Sequence, residues 1–262
     1  MNVIKSIKDN KKLIFNLAKN DFKTRFAGSY LGIFWAFVQP IVTILVYWFV
    51  FQIGFRSGTV EEFPFVIWLT AGLVPWFYFS EAWMGATNSL LEYSYLVKKV
   101  VFNIDVLPVI KVISALFVNM FFIAFFMIIC SAYGYYPTIY AIQIVYFIIC
   151  EILLVAGLSY ITSAIMAFFR DLGQLLNIIL QIGMWMTPIM WQNTMIDEQY
   201  QFILKLNPMY YIVHGYRSAM LSHEWIFRNF VWTGYFWIVV ILLFVIGNRI
   251  FKKLKPHFAD VL

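Results

Sequence analysis

Apolar residues fall into long unbroken runs along this chain, and polar residues gather between the runs instead of alternating within them. The first run is Leu31 to Ile53, inside a window without charge from Arg25 to Arg56, and the second is Phe63 to Leu91, charge-free except for Glu81. A third, Val112 to Ala132, is parted from a fourth, Ile139 to Phe169, by the turn-like "YGYYPT". The fifth is Leu172 to Trp191 and the sixth Phe230 to Ile250. At about 1.5 Å rise per residue each is roughly 30 Å or longer, the thickness of a bilayer's hydrocarbon. The pattern predicts an all-α integral membrane fold with six transmembrane helices over residues 29–250.

Two further stretches have helical periodicity but cannot span. In residues 1–28, Ile14, Leu17, Ala18, Phe22 and Phe26 lie on one face and Lys12, Asn16, Lys19 and Lys23 on the other. That pattern predicts a basic amphipathic helix, ended at Gly28, lying on the membrane surface. It lacks the continuous apolar core of a cleavable signal peptide. Between the fifth and sixth runs, residues 193–222 hold two short amphipathic segments. Ile196, Tyr200, Ile203 and Leu204 form one apolar face, and Met209, Ile212, Val213, Tyr216 and Met220 the other. Asn207 and Pro208 read as the cap and first residue of the second helix.

Composition agrees: hydrophobic residues make up 63% of the chain and charged residues 12%, against about 25% charged in a soluble domain. Mean hydropathy is +0.80. With the N-terminus inside, 15 of the 19 Lys and Arg fall in inner segments, leaving Arg56, Lys205, Arg217 and Arg228 outside. This asymmetry predicts a multi-pass membrane protein with both termini in the cytoplasm, residues 251–262 forming the C-terminal tail. Cys130 and Cys150 both fall within apolar runs and read as packing residues.

Candidate chemistry is sparse. There is no phosphate-binding loop, the three histidines (His214, His223, His257) lie apart from acidic clusters, and no carboxylate group has metal-binding spacing. What the apolar runs do carry is patterned polarity. In the first, Gly32, Ala36, Gln39, Thr43 and Tyr47 share a helix face; in the fifth, Gln174, Asn177, Gln181 and Trp185 do the same. Such stripes either join helices through their amides or line a path for a polar substrate. Tyr47, Trp48 and Trp185 beside those amides offer flat rings on which a sugar could stack. Glu151 stands deep in the fourth run, where a charge costs about 2.5–3.5 kcal/mol on insertion scales. It is either a structural carboxyl, protonated or amide-paired, or a group used in transport.

Four stretches, "DFKTRFAGSYLGIFWAFVQP" (21–40), "LVKKVVFNIDVLP" (96–108), "FFRDLGQLLNIILQIGMWMTPIMW" (168–191) and "LNPMYYIVHGYRSAML" (206–221), resemble the permease subunits of ABC-2 type polysaccharide exporters. That family includes the O-antigen and teichoic acid export permeases (Wzm/TagG type). The resemblance implies a homodimer of six-helix protomers, each bound to one of two copies of a cytoplasmic P-loop ATPase. ATP and magnesium would sit in that partner, leaving no cofactor or metal in this chain and no catalytic residue. It places segment 92–108 against the ATPase, with Leu96, Val97, Lys98, Lys99, Phe102 and Asn103 as coupling residues. Where the family often reads Phe-Pro, this chain has Phe102-Asn103.

The resemblance also sets the amphipathic helix, with Lys19, Phe22 and Arg25, at the membrane interface beside that loop. It makes residues 193–222 an outer gate using Pro208, Tyr210, Tyr211, Tyr216 and Arg217. The substrate it implies is a lipid-linked glycan on a polyprenyl diphosphate, and nucleic acid has no part. Gln39, Thr43, Tyr47, Trp48, Asn177, Gln181 and Trp185 are the expected substrate path. An ABC-2 permease for a drug or lipid would share this architecture; an integral membrane enzyme of glycan or lipid assembly would need a polar catalytic cluster.

Overall fold

A computed structural model describes residues 9–25, 30–56, 59, 60, 62–98, 103–225 and 230–262. Phe26, Gly28, Lys99, Phe102 and Arg228 lie outside the described residues. The fold is all-α but for one two-residue antiparallel ladder, β1 (Thr59–Val60) with β2 (Phe63–Pro64), pairing Thr59 with Pro64 and Val60 with Phe63.

The helices are α1 (Lys11–Thr24), α2 (Trp35–Trp48), α3 (Phe65–Glu92), α4 (Ser94–Val97), α5 (Leu107–Ala132) and α6 (Gln143–Met166). After these come α7 (Leu172–Met186), α8 (Glu198–Lys205), α9 (Pro208–Arg217), α10 (Phe230–Leu254) and α11 (Phe258–Val261). Among the described residues, five stretches are helical, long and apolar enough to cross a membrane: Gly32–Gly54, Phe65–Glu92, Ile104–Ala132, Ile139–Met166 and Phe230–Val261. Helices predominate because a chain in hydrocarbon must satisfy its own backbone polar groups.

The boundaries differ from the apolar runs for local reasons. Asn103 caps a 3₁₀ turn by accepting from the Asp105 amide at 3.3 Å, and Pro108 sits in the first turn of α5, so that helix starts well before Val112. The fifth run is not helical throughout. Thr187 precedes a proline and takes φ −98°, ψ 125°, an extended conformation that ends α7 at Met186. With 15 residues, α7 is about 22 Å long.

Helix α3 is the axle of the bundle. Its most apolar window is 78% buried within the chain, against 11% for the window containing α2 and 17% for that containing α10. It packs on α5, α6, α9, α2 and α7. Helices α6 and α10 cross closely because Gly157 and Gly247 face each other; a Cβ on Gly247 would lie 3.0 Å from the Gly157 carbonyl oxygen.

The buried side chains form two clusters. One fills the middle of the bundle and the end formed by Val60, Ile189, Met209 and Tyr216. The other, at the opposite end, joins Ile14 and Ala18 of α1 to Val97, Ile104, Tyr160, Phe251 and Phe258. The N-terminal helix, the segment after α3 and the C-terminal helix therefore meet at one end. The predicted faces of α1 and α9 hold: Ile14 and Ala18 are buried, Leu17 and Phe22 half-buried, and Lys12, Asn16, Lys19 and Lys23 exposed. The face expected on α8 does not, since Ile196 precedes the helix, Tyr200 and Ile203 are exposed and only Leu204 is buried. Met209, Ile212, Val213, Tyr216 and Met220 are all buried.

Candidate functional site

Two of the polar stripes meet in one cavity. A space of about 520 Å³ between α2, α3 and α7 is lined by Gln39 and Thr43 from α2 and Asn177 from α7. Helix α3 adds Glu81, the one charge in its run, together with Ser80 and Asn88, which the apolar residues around them had hidden. Tyr47, Trp48, Gln181 and Trp185 do not line this cavity; Tyr47 packs on the core and Trp185 is 55% exposed. Beside it, α2 and the turn after it leave Val42, Leu45, Val46 and Phe49 uncovered, and α7 leaves Ile178, Ile179 and Ile182 uncovered.

Towards α1 the cavity adjoins a second of about 350 Å³, sharing Arg25, Glu81, Gly85 and Glu92 and adding Asp21 and Lys111. Arg25 pairs with Glu81, and Lys111 with both Glu92 and Asp21, the last at 2.7 Å. Tyr93 donates its hydroxyl to Asp21 at 2.6 Å. Burial alone would raise the Asp21 carboxyl, but the Lys111 ammonium and the Tyr93 hydroxyl outweigh it and hold the group below its ordinary value of 3.8. Burial and the Asp21 carboxylate push the Tyr93 hydroxyl up, so it remains a donor.

A carboxyl depressed by folding contributes stability above its unfolded value, and that contribution is lost as pH falls through the folded value. The docking of α1 is therefore expected to hold from neutral pH to the upper carboxylate range and to weaken below it. Hydrogen exchange of the α1 amides, corrected for intrinsic rates, checks this, and Asp21→Asn should show weaker protection with little of that dependence. Unaltered protection in Asp21→Asn would remove the pairing as the cause.

The expected coupling residues divide. Lys98 and Tyr95 are exposed, Tyr95 at 58%, whereas Val97 is buried and Leu96 partly so against the α1-end cluster. Asn103 is occupied as a cap. Beneath this segment Tyr160 donates to the Asp105 carbonyl at 2.8 Å and Lys255 pairs with the Asp105 carboxylate, tying it to α6 and to the C-terminal end of the chain. The pattern had not singled out Tyr95, Asp105 or Lys255. An exposed ring beside an exposed lysine is a signal that a helical wheel of residues 92–98 could have supplied.

At the other end, α9 is docked by three devices. Asn207 accepts from the Met209 amide at 3.0 Å and donates to Thr187 Oγ1 at 2.8 Å, joining the cap to the break after α7. Arg217 lays its guanidinium 3.4 Å from the centre of the Trp68 ring and donates to the carbonyls of Pro188 and Ile189 at 2.8 and 3.1 Å. Gly215 lets α9 rest on the Phe147 ring, which a Cβ there would meet at 2.0 Å. Tyr216, expected at the gate, is instead fully buried, facing the core. Glu151 is fully buried as well, with neither carboxyl oxygen hydrogen-bonded.

Pro208, Tyr210 and Tyr211 line a separate pocket of about 270 Å³ between α6, α8, α9 and α10. No group of His, Cys, Asp and Glu among the described residues could hold a metal ion.

A family model described as "ABC-2 type transporter" matches residues 12–221. The chain is 28% identical over 256 residues, 95% of both chains, to an O-antigen export system permease protein RfbA of Klebsiella pneumoniae. It is 28% identical over 224 residues, 85% of both, to the RfbA permease of Myxococcus xanthus. Over 208 residues, 77% of this chain and 78% of the relative, it is 25% identical to the polysialic acid transport protein KpsM of Escherichia coli.

Proposed function

The chain belongs to the ABC-2 type transporter family, and from that premise we propose that it is the permease subunit of an exporter of a polysaccharide. The cargo is a glycan linked to polyprenyl diphosphate, carried across the cytoplasmic membrane. The observation that carries the reading furthest is the cavity lined by Gln39, Thr43, Ser80, Asn88 and Asn177. These amides and hydroxyls between spanning helices suit a chain of sugar hydroxyls, which need hydrogen-bond partners and no counter-charge. The charged groups at the α1 end of the cavity are already paired, Arg25 with Glu81 and Glu92 with Lys111. The names of the relatives, export permeases for O-antigen and a transport protein for polysialic acid, support the same cargo class.

In this reading the cavity is half of a path. The uncovered apolar faces of α2 and α7 pack against a second copy, so that two protomers enclose the polar stripes between them. Helix α7, with the chain up to Trp191, serves as a sixth membrane crossing, and both termini lie in the cytoplasm. Their packing with α4 at one end of the bundle supports that placement. Helices α8 and α9 then cap the outer end as a gate.

Energy comes from ATP bound with magnesium by two copies of a separate ATPase subunit. Tyr95 and Lys98, exposed on α4 and just after it, form its docking face. Movement of α4 passes to α1 through Tyr93, Asp21 and Lys111, and Asp105 ties the following segment to Lys255, just after α10. From α1 the pairing of Arg25 with Glu81 leads to α3, which lines the cavity. Glu151, buried between α3 and α9, is the group most sensitive to any opening that admits water.

Purification of the tagged chain in mild detergent tests the partner assignment. Mass spectrometry is expected to find a P-loop ATPase in equal amount. Its absence under several gentle conditions would remove the docking face from the account.

A further inference from the structure

The pocket behind α9 takes no residue from α2 or α7, so it stands beside the proposed path and not in it. We propose that it is a binding subsite for a single sugar ring at the outer end of the protein, a deepening that rests on the glycan reading above. Its walls are aromatic: Tyr210 and His214 stack at 6.0 Å with 28° between their planes, and Trp232 meets Tyr235 edge-on at 6.2 Å. Trp225 completes the lining and leans on the Tyr140 ring at 5.0 Å. These rings are held in place. Asn193 donates to the Tyr210 hydroxyl at 3.2 Å, Tyr235 donates to the Leu206 carbonyl at 2.7 Å, and the Lys205 ammonium sits 5.5 Å from the centre of the Trp232 ring.

The chemistry of the lining selects the ligand. Lys205 and Glu224 both line the pocket and their charges balance, so an anion such as a lipid phosphate gains no net attraction. An acyl chain would press hydrocarbon against the Lys205 ammonium and the Glu224 carboxylate, which both line the pocket. A pyranose meets both demands, with a C–H face for the rings and hydroxyls at its edge for Asn193, Lys205 and Glu224. The volume of about 270 Å³ lies just below the roughly 300–1,000 Å³ of ordinary small-molecule pockets, which admits one ring and excludes a chain. A subsite there would hold a sugar unit that has cleared the gate and oppose its return.

Saturation-transfer NMR on the full chain in nanodiscs, with free galactose, rhamnose and N-acetylglucosamine as probes, tests this. Wild-type protein is expected to saturate the ring C–H protons of at least one sugar. Trp225→Ala, at a partly exposed position, should cut that signal about fivefold, the worth of one stacked ring, while Trp225→Phe keeps most of it. Lys205→Met should also reduce it, and glycerol phosphate should not compete. No saturation with any sugar, an undiminished signal in Trp225→Ala, or displacement by glycerol phosphate would each overturn the proposal. The two readings separate in cells. If depletion of the chain stops polymer export while the pure protein binds no sugar, the subsite alone falls; if export continues without the chain, the glycan reading falls.

Discussion

Gly215→Ala is expected to detach α9 from α6 and to abolish export. The added Cβ would lie 2.0 Å from one ring atom of Phe147 and 2.1 Å from a second. That ring is 2% exposed and is held on three sides by Tyr146, Tyr211 and Tyr216, so only the side facing the pocket behind α9 leaves it room. Helix α9 is expected to shift outward. Overpacking of this kind costs about 1–3 kcal/mol and occasionally more, and this contact belongs at the upper end. Thermal unfolding of the purified chain should move down by several degrees. Phe147→Leu alone should cost stability, yet combined with Gly215→Ala it should restore part of what the glycine substitution loses, since the two share one contact. Additive losses in the double variant would place the strain elsewhere.

Arg217→Ala should have the second-largest effect, confined to the outer end. The guanidinium stacks on Trp68 and forks to two carbonyls past the break after α7. A desolvated cation–π contact contributes about 2 kcal/mol and hydrogen bonds from a charged group about 1.5–3 kcal/mol each. The terms overlap, so a net loss of about 3–5 kcal/mol in the docking of α9 is expected. Lysine supplies the charge but not the planar fork, so Arg217→Lys should recover little. Ile189, fully buried under this clasp, reports on it. An Ile189→Cys thiol should resist a membrane-impermeant maleimide in the otherwise native chain and react once Arg217→Ala is added. Equal reactivity in both would mean that Arg217 does not hold the two segments together.

Local periodicity made much of this legible. The faces of α1 and α9 and the Asn207 cap each follow from residues within a few positions of one another, where side-chain spacing alone decides what is buried. The cavity was half legible: Gln39, Thr43 and Asn177 stood out as polar stripes, whereas Ser80 and Asn88 were lost in a helix buried nearly all round. The burial of Tyr216 was not legible, because a tyrosine on an amphipathic helix has two plausible homes; it shares the buried face of Met209 and Ile212. The early end of α7 was written in Thr187-Pro188 and was outweighed by the apolar run. What could not be read were pairings across distance, Asp21 with Lys111, Asp105 with Lys255 and Arg217 with Trp68, since only the packed bundle brings them together.

The central claim is that this chain carries a lipid-linked glycan outward. The most direct measurement is to deplete it from its own cells, feed labelled sugar, and follow the polymer on both sides of the cytoplasmic membrane. The account predicts that labelled polymer accumulates on its polyprenyl diphosphate at the inner face, shielded from glycosidase added outside. Polymer reaching the outer face at the normal rate in depleted cells would contradict it.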